Sequence, residues 1–205
     1  MQLRAFSEED FSGMDRFFRM NLINQLSGPR SAFLVGTADR SGSTNLALFN
    51  SVVHVGANPP LLGLVFRPHT VPRHTLENIR ETGVFTLNQV HVDMIEAAHT
   101  CSANYSREMS EFDASGLIAE YRKDFPAPFV AESFVKMAMV PEEEHLIAAN
   151  QTIFMVAKIV DLWVAEDAVE AGGHLDEKIT RPAAVMGLDT YLSTAQIMRL
   201  GYARP

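Results

Sequence analysis

The chain has 205 residues, 47% of them hydrophobic and 20% charged, with a formal net charge of −8 and one cysteine. That suffices for a sizeable core in a single domain over 1–205. An acidic balance without a basic stripe argues against nucleic acid as a partner, and the lack of a long uncharged apolar segment argues against a membrane span. In chain order, Met1–Asp10 is acidic and lacks the apolar centre of a signal peptide. With Cys101 alone, no intrachain disulfide is possible, and the cytoplasm is the expected compartment. Ser12–Leu26 is expected to be an amphipathic helix, opened by Ser12 with Asp15 in the manner of a capping box. Met14, Phe17, Phe18 and Leu22 share one face, and Ser27-Gly28-Pro29 ends it.

An apolar run of strand length, Ala32–Ala38, leads into the turn Asp39–Ser43. The next strand, Thr44–Val55, carries polar groups where a buried strand carries apolar ones. Alternation puts Asn45, Ala47, Phe49, Ser51 and Val53 on one side and Leu46, Leu48, Asn50 and Val52 on the other. After Asn58-Pro59-Pro60 comes a third strand, Leu61–Phe66, then the cationic loop Arg67–Arg73. Thr75–Thr82 is a short helix with Leu76 and Ile79 inward and Gly83 at C′. Val84–Val90 is a fourth strand. Asp93–Cys101 has helical spacing, and Ser110 caps a short helix that Gly116 ends. Lys123–Pro128 is irregular, Ser133–Val140 alternates as a strand, and Glu142-Glu143-Glu144 is expected as a solvated turn. Gln151–Val164 is long for one strand and is expected to bend. The chain after Asp176 is weakly patterned. Short helices among many strands, without regular βαβ alternation, point to a barrel with helices at its rim.

Two stretches could carry chemistry. The wall Asn45–Ser51 offers Asn and Ser side chains and backbone amides, which suit the polar edge of a flat heterocycle such as a flavin. The same pattern also fits an ordinary edge strand. Arg67, Arg73 and Thr75 precede or open a helix, where free N–H groups and a partial positive charge attract phosphate. Arg adds a charge-assisted contact, and Thr75 is either a phosphate ligand or a plain N-cap. Glu96-x-x-His99 has the spacing of half a di-iron site, but a second pair and further carboxylates are missing, so no metal is expected. Cys101 falls on an apolar helical face, as a small core residue would. No Gly-x-Ser-x-Gly, P-loop or Gly-x-Gly-x-x-Gly motif occurs.

The order of these segments resembles the flavin reductase-like, FMN-binding split-barrel family. The matching pieces are Pro29-Arg30, Asn45-Leu46-Ala47 with Phe49, Asn58-Pro59-Pro60, His74–Ile79, Glu81–Asn88, Ser110-Glu111-Phe112 and Ala131-Glu132-Ser133. The resemblance implies a mainly β, Greek-key split barrel with a core over about 27–165. Flanking it would be an N-terminal helix at 12–26 and a C-terminal extension at 166–205. It implies a homodimer with FMN near the interface and a small-molecule substrate. The cofactor contacts implied are Asn45, Ala47, Phe49, Asn50, Ser51, Arg67, Arg73, Thr75 and Asn88, with Ser102 and Tyr105 near the phosphate. Many members carry Pro, Ser and Phe where this chain has Leu48, Asn50 and Ser51, and Lys-Asp where it has Arg73-His74. Tyr191 reads either as a residue that reaches the active site or as a surface-anchoring aromatic, the second being the preferred reading. The activity implied is hydride transfer from NADH or NADPH to flavin N5. The alternatives are a flavin carrier or sensor without turnover, or a barrel reused for haem.

Overall fold

The structure, a computed structural model, describes residues 1–203; the last two positions of the expected 166–205 extension lie outside them. Two short helices open the chain, α1 (Glu8–Gly13) and α2 (Arg16–Gln25), in place of the one expected from Ser12. The capping box is formed by Ser7 and Asp10. Asp15 caps α2 by accepting the Phe17 and Phe18 amides, each at 3.0 Å. A short acidic side chain that bonds its own downstream amides starts a helix rather than continuing one. Phe17 and Phe18 are exposed while Met14 and Leu22 are half-buried, so the described chain covers only part of the apolar face read from the sequence.

The strands are β1 (Arg30–Ser31), β2 (Phe33–Ala38), β3 (Thr44–Phe49), β4 (Val52–Ala57) and β5 (Pro60–Phe66). Helix α3 (His74–Thr82) leads to β6 (Phe85–Gln89), and a 3-10 turn at Val92–Met94 leads to α4 (Ile95–Thr100) and α5 (Glu111–Ser115). Then come β7 (Ala119–Glu120), β8 (Phe129–Val130), β9 (Val135–Ile147), β10 (Thr152–Val164), α6 (Glu177–Thr180), β11 (Ala183–Met186) and β12 (Thr190–Ser193). Among the described residues no helix is long and apolar enough to cross a membrane.

Seven strands form one antiparallel sheet in the order β3-β2-β6-β9-β10-β5-β4. Its two edge strands, β3 and β4, are consecutive in the chain and joined only by Asn50-Ser51. The sheet therefore curls until its edges meet, which is the split barrel the sequence pointed to. The strand expected as a continuous Thr44–Val55 is thus two strands that change edge at this link. Ser51 holds it: its carbonyl accepts the Val65 amide at 3.2 Å, and its hydroxyl donates to the Val65 carbonyl at 3.0 Å.

Strand β2 is buried along its whole length because both of its faces are covered. Phe33 and Val35 point into the barrel with Leu64, Phe66, Phe85, Leu87, Met137, Met139 and Met155, and α3 closes this interior with Leu76 and Ile79. Ala32 and Leu34 face a second cluster with Leu46, Met94, Ala98, Cys101, Phe112, Val130 and Val185. Gly36 is required where β2 passes the loop before β8. A Cβ there would sit 2.1 Å from the Pro128 carbonyl oxygen and 2.6 Å from Thr86 Oγ1.

Glu142–Glu144 do not form a turn. They belong to β9, where Glu143 pairs with Val156 and Glu144 with Met155. The β9–β10 hairpin keeps its backbone ladder while these side chains face solvent, and charge on an exposed strand does not break the ladder. The reversal comes later, at Ala148–Gln151, where Gln151 has φ of 61°. Strand β10 bends as its length suggested, with register shifts at Val156/Ala157 and Ile159/Asp161. The weakly patterned tail folds into β11 and β12, which form a three-stranded sheet with β1.

Candidate functional site

A cavity of about 250 Å³ opens where the barrel splits. One wall is β3 and the link after it, with Asn45, Ala47, Phe49, Asn50 and Ser51. The opposite wall is the end of β5 and the turn into α3, with Phe66, Arg67, Arg73, His74 and Thr75. The segment after α4, Cys101–Tyr105, and Glu111 at the start of α5 complete it. Ten of the eleven residues singled out from the sequence therefore line one cavity.

Asn88 is the exception. It is fully buried, and its side chain bonds the Leu34 carbonyl at 3.2 Å, Thr86 Oγ1 at 2.9 Å and the Val130 amide at 3.0 Å. A buried amide with both ends satisfied joins β6, β2 and β8 and leaves nothing for a ligand.

Thr75 is not the N-cap of α3. That position is Arg73, which makes no side-chain cap bond, and Thr75 lies within the first turn. Its hydroxyl instead accepts Asn45 Nδ2 at 3.0 Å. Asn45 also reaches Thr37 Oγ1 at 3.4 Å, and Asn78 Nδ2 reaches the same oxygen at 3.2 Å. This buried polar set pins β3 to α3. Behind it, Glu77 accepts the Arg73 amide at 3.1 Å and His69 Nε2 at 3.0 Å, and pairs with Arg107. Burial works to raise the Glu77 carboxyl, but these bonds outweigh it and hold it below its ordinary range. Arg67, Arg73 and the start of α3 at His74 and Thr75 line the cavity, and a helix start carries free N–H donors and partial positive charge. Arg73 Nε is buried and has no hydrogen-bond partner.

Phe49 and Phe66 both line the cavity and pack edge to face, with centroids 5.1 Å apart at 69°. Alternation along β3 is kept, with Phe49 toward the barrel and Leu46 and Leu48 toward the second cluster. Asn50 Nδ2 donates to the Gly187 carbonyl at 2.9 Å, tying the β11–β12 hairpin to the rim. Ser102 is exposed, and its hydroxyl donates to the His99 carbonyl at 2.7 Å. The Tyr105 hydroxyl donates to the Thr100 carbonyl at 3.3 Å. Tyr191 does not line the cavity. Its hydroxyl meets His99 Nδ1 at 2.9 Å, and burial pushes it up to about 12.

Sequence reasoning gave no site role to three titratable residues that line the cavity, His74, Cys101 and Glu111. Cys101 was read as core, and it is buried, yet it also faces the cavity; burial raises its thiol to about 11. Glu111 appeared only within the matching piece Ser110-Glu111-Phe112 and carried no role. Its carboxylate is buried and accepts the Leu46 amide at 2.8 Å. An acidic residue in a first helical turn looks like ordinary dipole complementarity, so nothing local marked it.

The chain belongs to the flavin reductase like domain family, whose pattern it matches over residues 27–182. It is similar to a provisionally assigned flavin reductase with a split barrel domain from Shewanella frigidimarina NCIMB 400. That protein is 44% identical, with 98% of this chain and 100% of the other covered and a TM-score of 0.94. Nitrilotriacetate monooxygenase component B from Bacillus cereus shares the fold at 19% identity, covering 98% of this chain and 100% of the other, with a TM-score of 0.85. So does an FMN-binding protein from Thermus thermophilus, at 15% identity over 97% of this chain and 100% of the other, with a TM-score of 0.75.

Proposed function

We propose that this cavity holds FMN and that the chain is a flavin-dependent oxidoreductase using NADH or NADPH as hydride donor. The observation that carries the reading is the meeting, in one cavity, of the polar wall Asn45–Ser51 with the cationic turn Arg67–Thr75. Family membership and the fold shared with an FMN-binding protein support it. The buried, unpartnered Arg73 Nε fits an anion acceptor, since such a donor is costly to leave unpaired.

Arg67, Arg73 and the first amides of α3 would bind the phosphate. Phe49 and Phe66 would pack against the ring, and Asn45, Asn50 and Ser51 would orient its polar edge. Bound FMN supplies the hydride-accepting position, so the chain needs no acid–base dyad and contributes binding and orientation. A second copy of the chain would cover the open side of the site. Val53 and Val55 on β4, and Leu146, Ile147, Val160 and Leu162 on the β9–β10 hairpin, are exposed apolar residues that such a copy would bury.

The test is an absorption spectrum of the purified protein, release and identification of the chromophore, and stopped-flow mixing with NADH and NADPH. Rapid bleaching of bound flavin supports the enzyme. Bleaching by dithionite alone leaves a flavin carrier, and no binding of FMN refutes the site.

A further inference from the structure

Resting on the FMN reading of the cavity, we propose that Glu111 makes phosphate binding proton-linked: its carboxyl takes up a proton when a phosphate monoester enters. The conflict that requires this is geometric. Glu111 is 6% exposed and lines the same cavity as Arg67, Arg73, His74 and Thr75. One oxygen accepts the Leu46 amide at 2.8 Å. That amide lies on the open edge of β3, where no strand receives it. Among the described residues no Lys or Arg forms an ion pair with the carboxylate.

The groups facing it can be named element by element. From α3 comes His74, whose charge would favour the carboxylate. From the end of α4 comes the Cys101 thiol, which stays neutral. Strand β3 carries no titratable side chain, and the loop before α3 brings Arg67 and Arg73 to the cavity without bonding Glu111. Burial already raises the carboxyl above its ordinary range, more than the Leu46 amide and His74 lower it. A phosphate carries about −1.5 to −2 charge at neutral pH. Placed in this confined space, it can only raise the carboxyl further, since like charges in a shared site disfavour ionisation. Thermodynamic linkage then requires proton uptake on binding and an affinity that falls as the carboxyl of the empty protein ionises. Glu111 is in this sense a specificity residue, because it distinguishes a phosphorylated flavin from riboflavin according to pH.

The experiment measures dissociation constants for FMN and for riboflavin between pH 5.5 and 8.5 in the wild type and in Glu111→Gln. Glutamine keeps an oxygen for the Leu46 amide. The phosphate's own ionisation and His74 are common to both proteins, so the wild-type to variant ratio isolates the carboxyl. For FMN, that ratio of dissociation constants is expected to climb with pH, approaching tenfold per unit where one proton is linked. For riboflavin it should stay flat. Titration calorimetry in two buffers of different ionisation enthalpy should show more proton uptake with FMN in the wild type than in Glu111→Gln, by up to about one proton. A ratio that does not change with pH overturns the proposal. So does the same slope for riboflavin, or equal proton uptake in the wild type and Glu111→Gln. If neither protein binds FMN at any pH, the flavin reading itself falls and this proposal with it.

Discussion

Asn45 on β3 donates to Thr75 on α3 across 3.0 Å, and this bond joins the two walls of the cavity at the end away from the Ser51–Val65 pair. Both residues are buried, so the bond is part of the fold as well as of the site. Asn45→Ala removes it and also the longer contact to Thr37. Leaving buried partners unsatisfied costs about 1–3 kcal/mol. Urea unfolding of the ligand-free protein should show that loss with an unchanged slope, and FMN affinity should fall as well. Unchanged stability would mean that Thr75 and Asn45 are not coupled.

How much of this was legible in the sequence depends on whether the signal was local. Strand β2 was clear because a strand covered on both faces must be apolar throughout. Helix α3 was clear because Leu76 and Ile79 share a face and Gly83 adopts φ of 73° as its stop. The break at Asn50-Ser51 was not, because both halves are of strand composition and only the meeting of the sheet edges forces it. Glu142–Glu144 misled because charge was taken for a turn, whereas the ladder depends on backbone pairing. Asn88 misled because a buried asparagine bridging three strands has the same local sequence as one facing a ligand. Glu111 could not be found at all, since its importance comes from residues 65 positions away.

Gly36 allows β2 to pass the Pro128 carbonyl at close range. The obstacle is backbone, so it cannot rotate away. Gly36→Ala should therefore destabilise by about 1–3 kcal/mol or more, the usual cost of overpacking a core. Gly42→Ala is the contrast: nothing lies near its Cβ, and the penalty there would come only from φ of 89°. Thermal melts of the two variants separate steric overlap from backbone strain, and a native-like melt for Gly36→Ala would contradict the packing described.

The exposed apolar residues of β4 and the β9–β10 hairpin carry the homodimer proposal. Light scattering should give a mass twice the 22.7 kDa of one chain. Leu162→Glu, at a side chain 56% exposed, should shift that mass toward the monomer while leaving the fold intact by circular dichroism. A wild-type mass of one chain at micromolar concentration, with and without FMN, would dispose of the dimer.

Burial pushes the Cys101 thiol up to about 11, so thiolate is scarce at pH 8. The raised value favours the protonated form in the folded state, and reactivity returns as pH rises toward that value. Relative to an ordinary thiol near 8.5, the thiolate fraction at pH 8 is lower by about two orders of magnitude. Labelling by a disulfide reagent at pH 8 should be slow in the native protein and rapid in guanidinium. FMN should slow it further, since the residue lines the cavity. Rapid native labelling unaffected by flavin would place the thiol elsewhere.

Arg67 supplies the last prediction, because it separates a phosphate contact from a ring contact. It sits exposed at the cavity mouth, at the end of β5. Removing a hydrogen bond to a charged group costs about 1.5–3 kcal/mol. Arg67→Ala should therefore weaken FMN by roughly ten- to a hundredfold and riboflavin hardly at all. Raised ionic strength should weaken FMN binding to the wild type more than to the variant, since an exposed charge is screened. Arg73→Ala is expected to show the same selectivity with less sensitivity to salt, because its Nε is buried. Equal losses for FMN and riboflavin in Arg67→Ala would mean that the turn before α3 does not hold the phosphate.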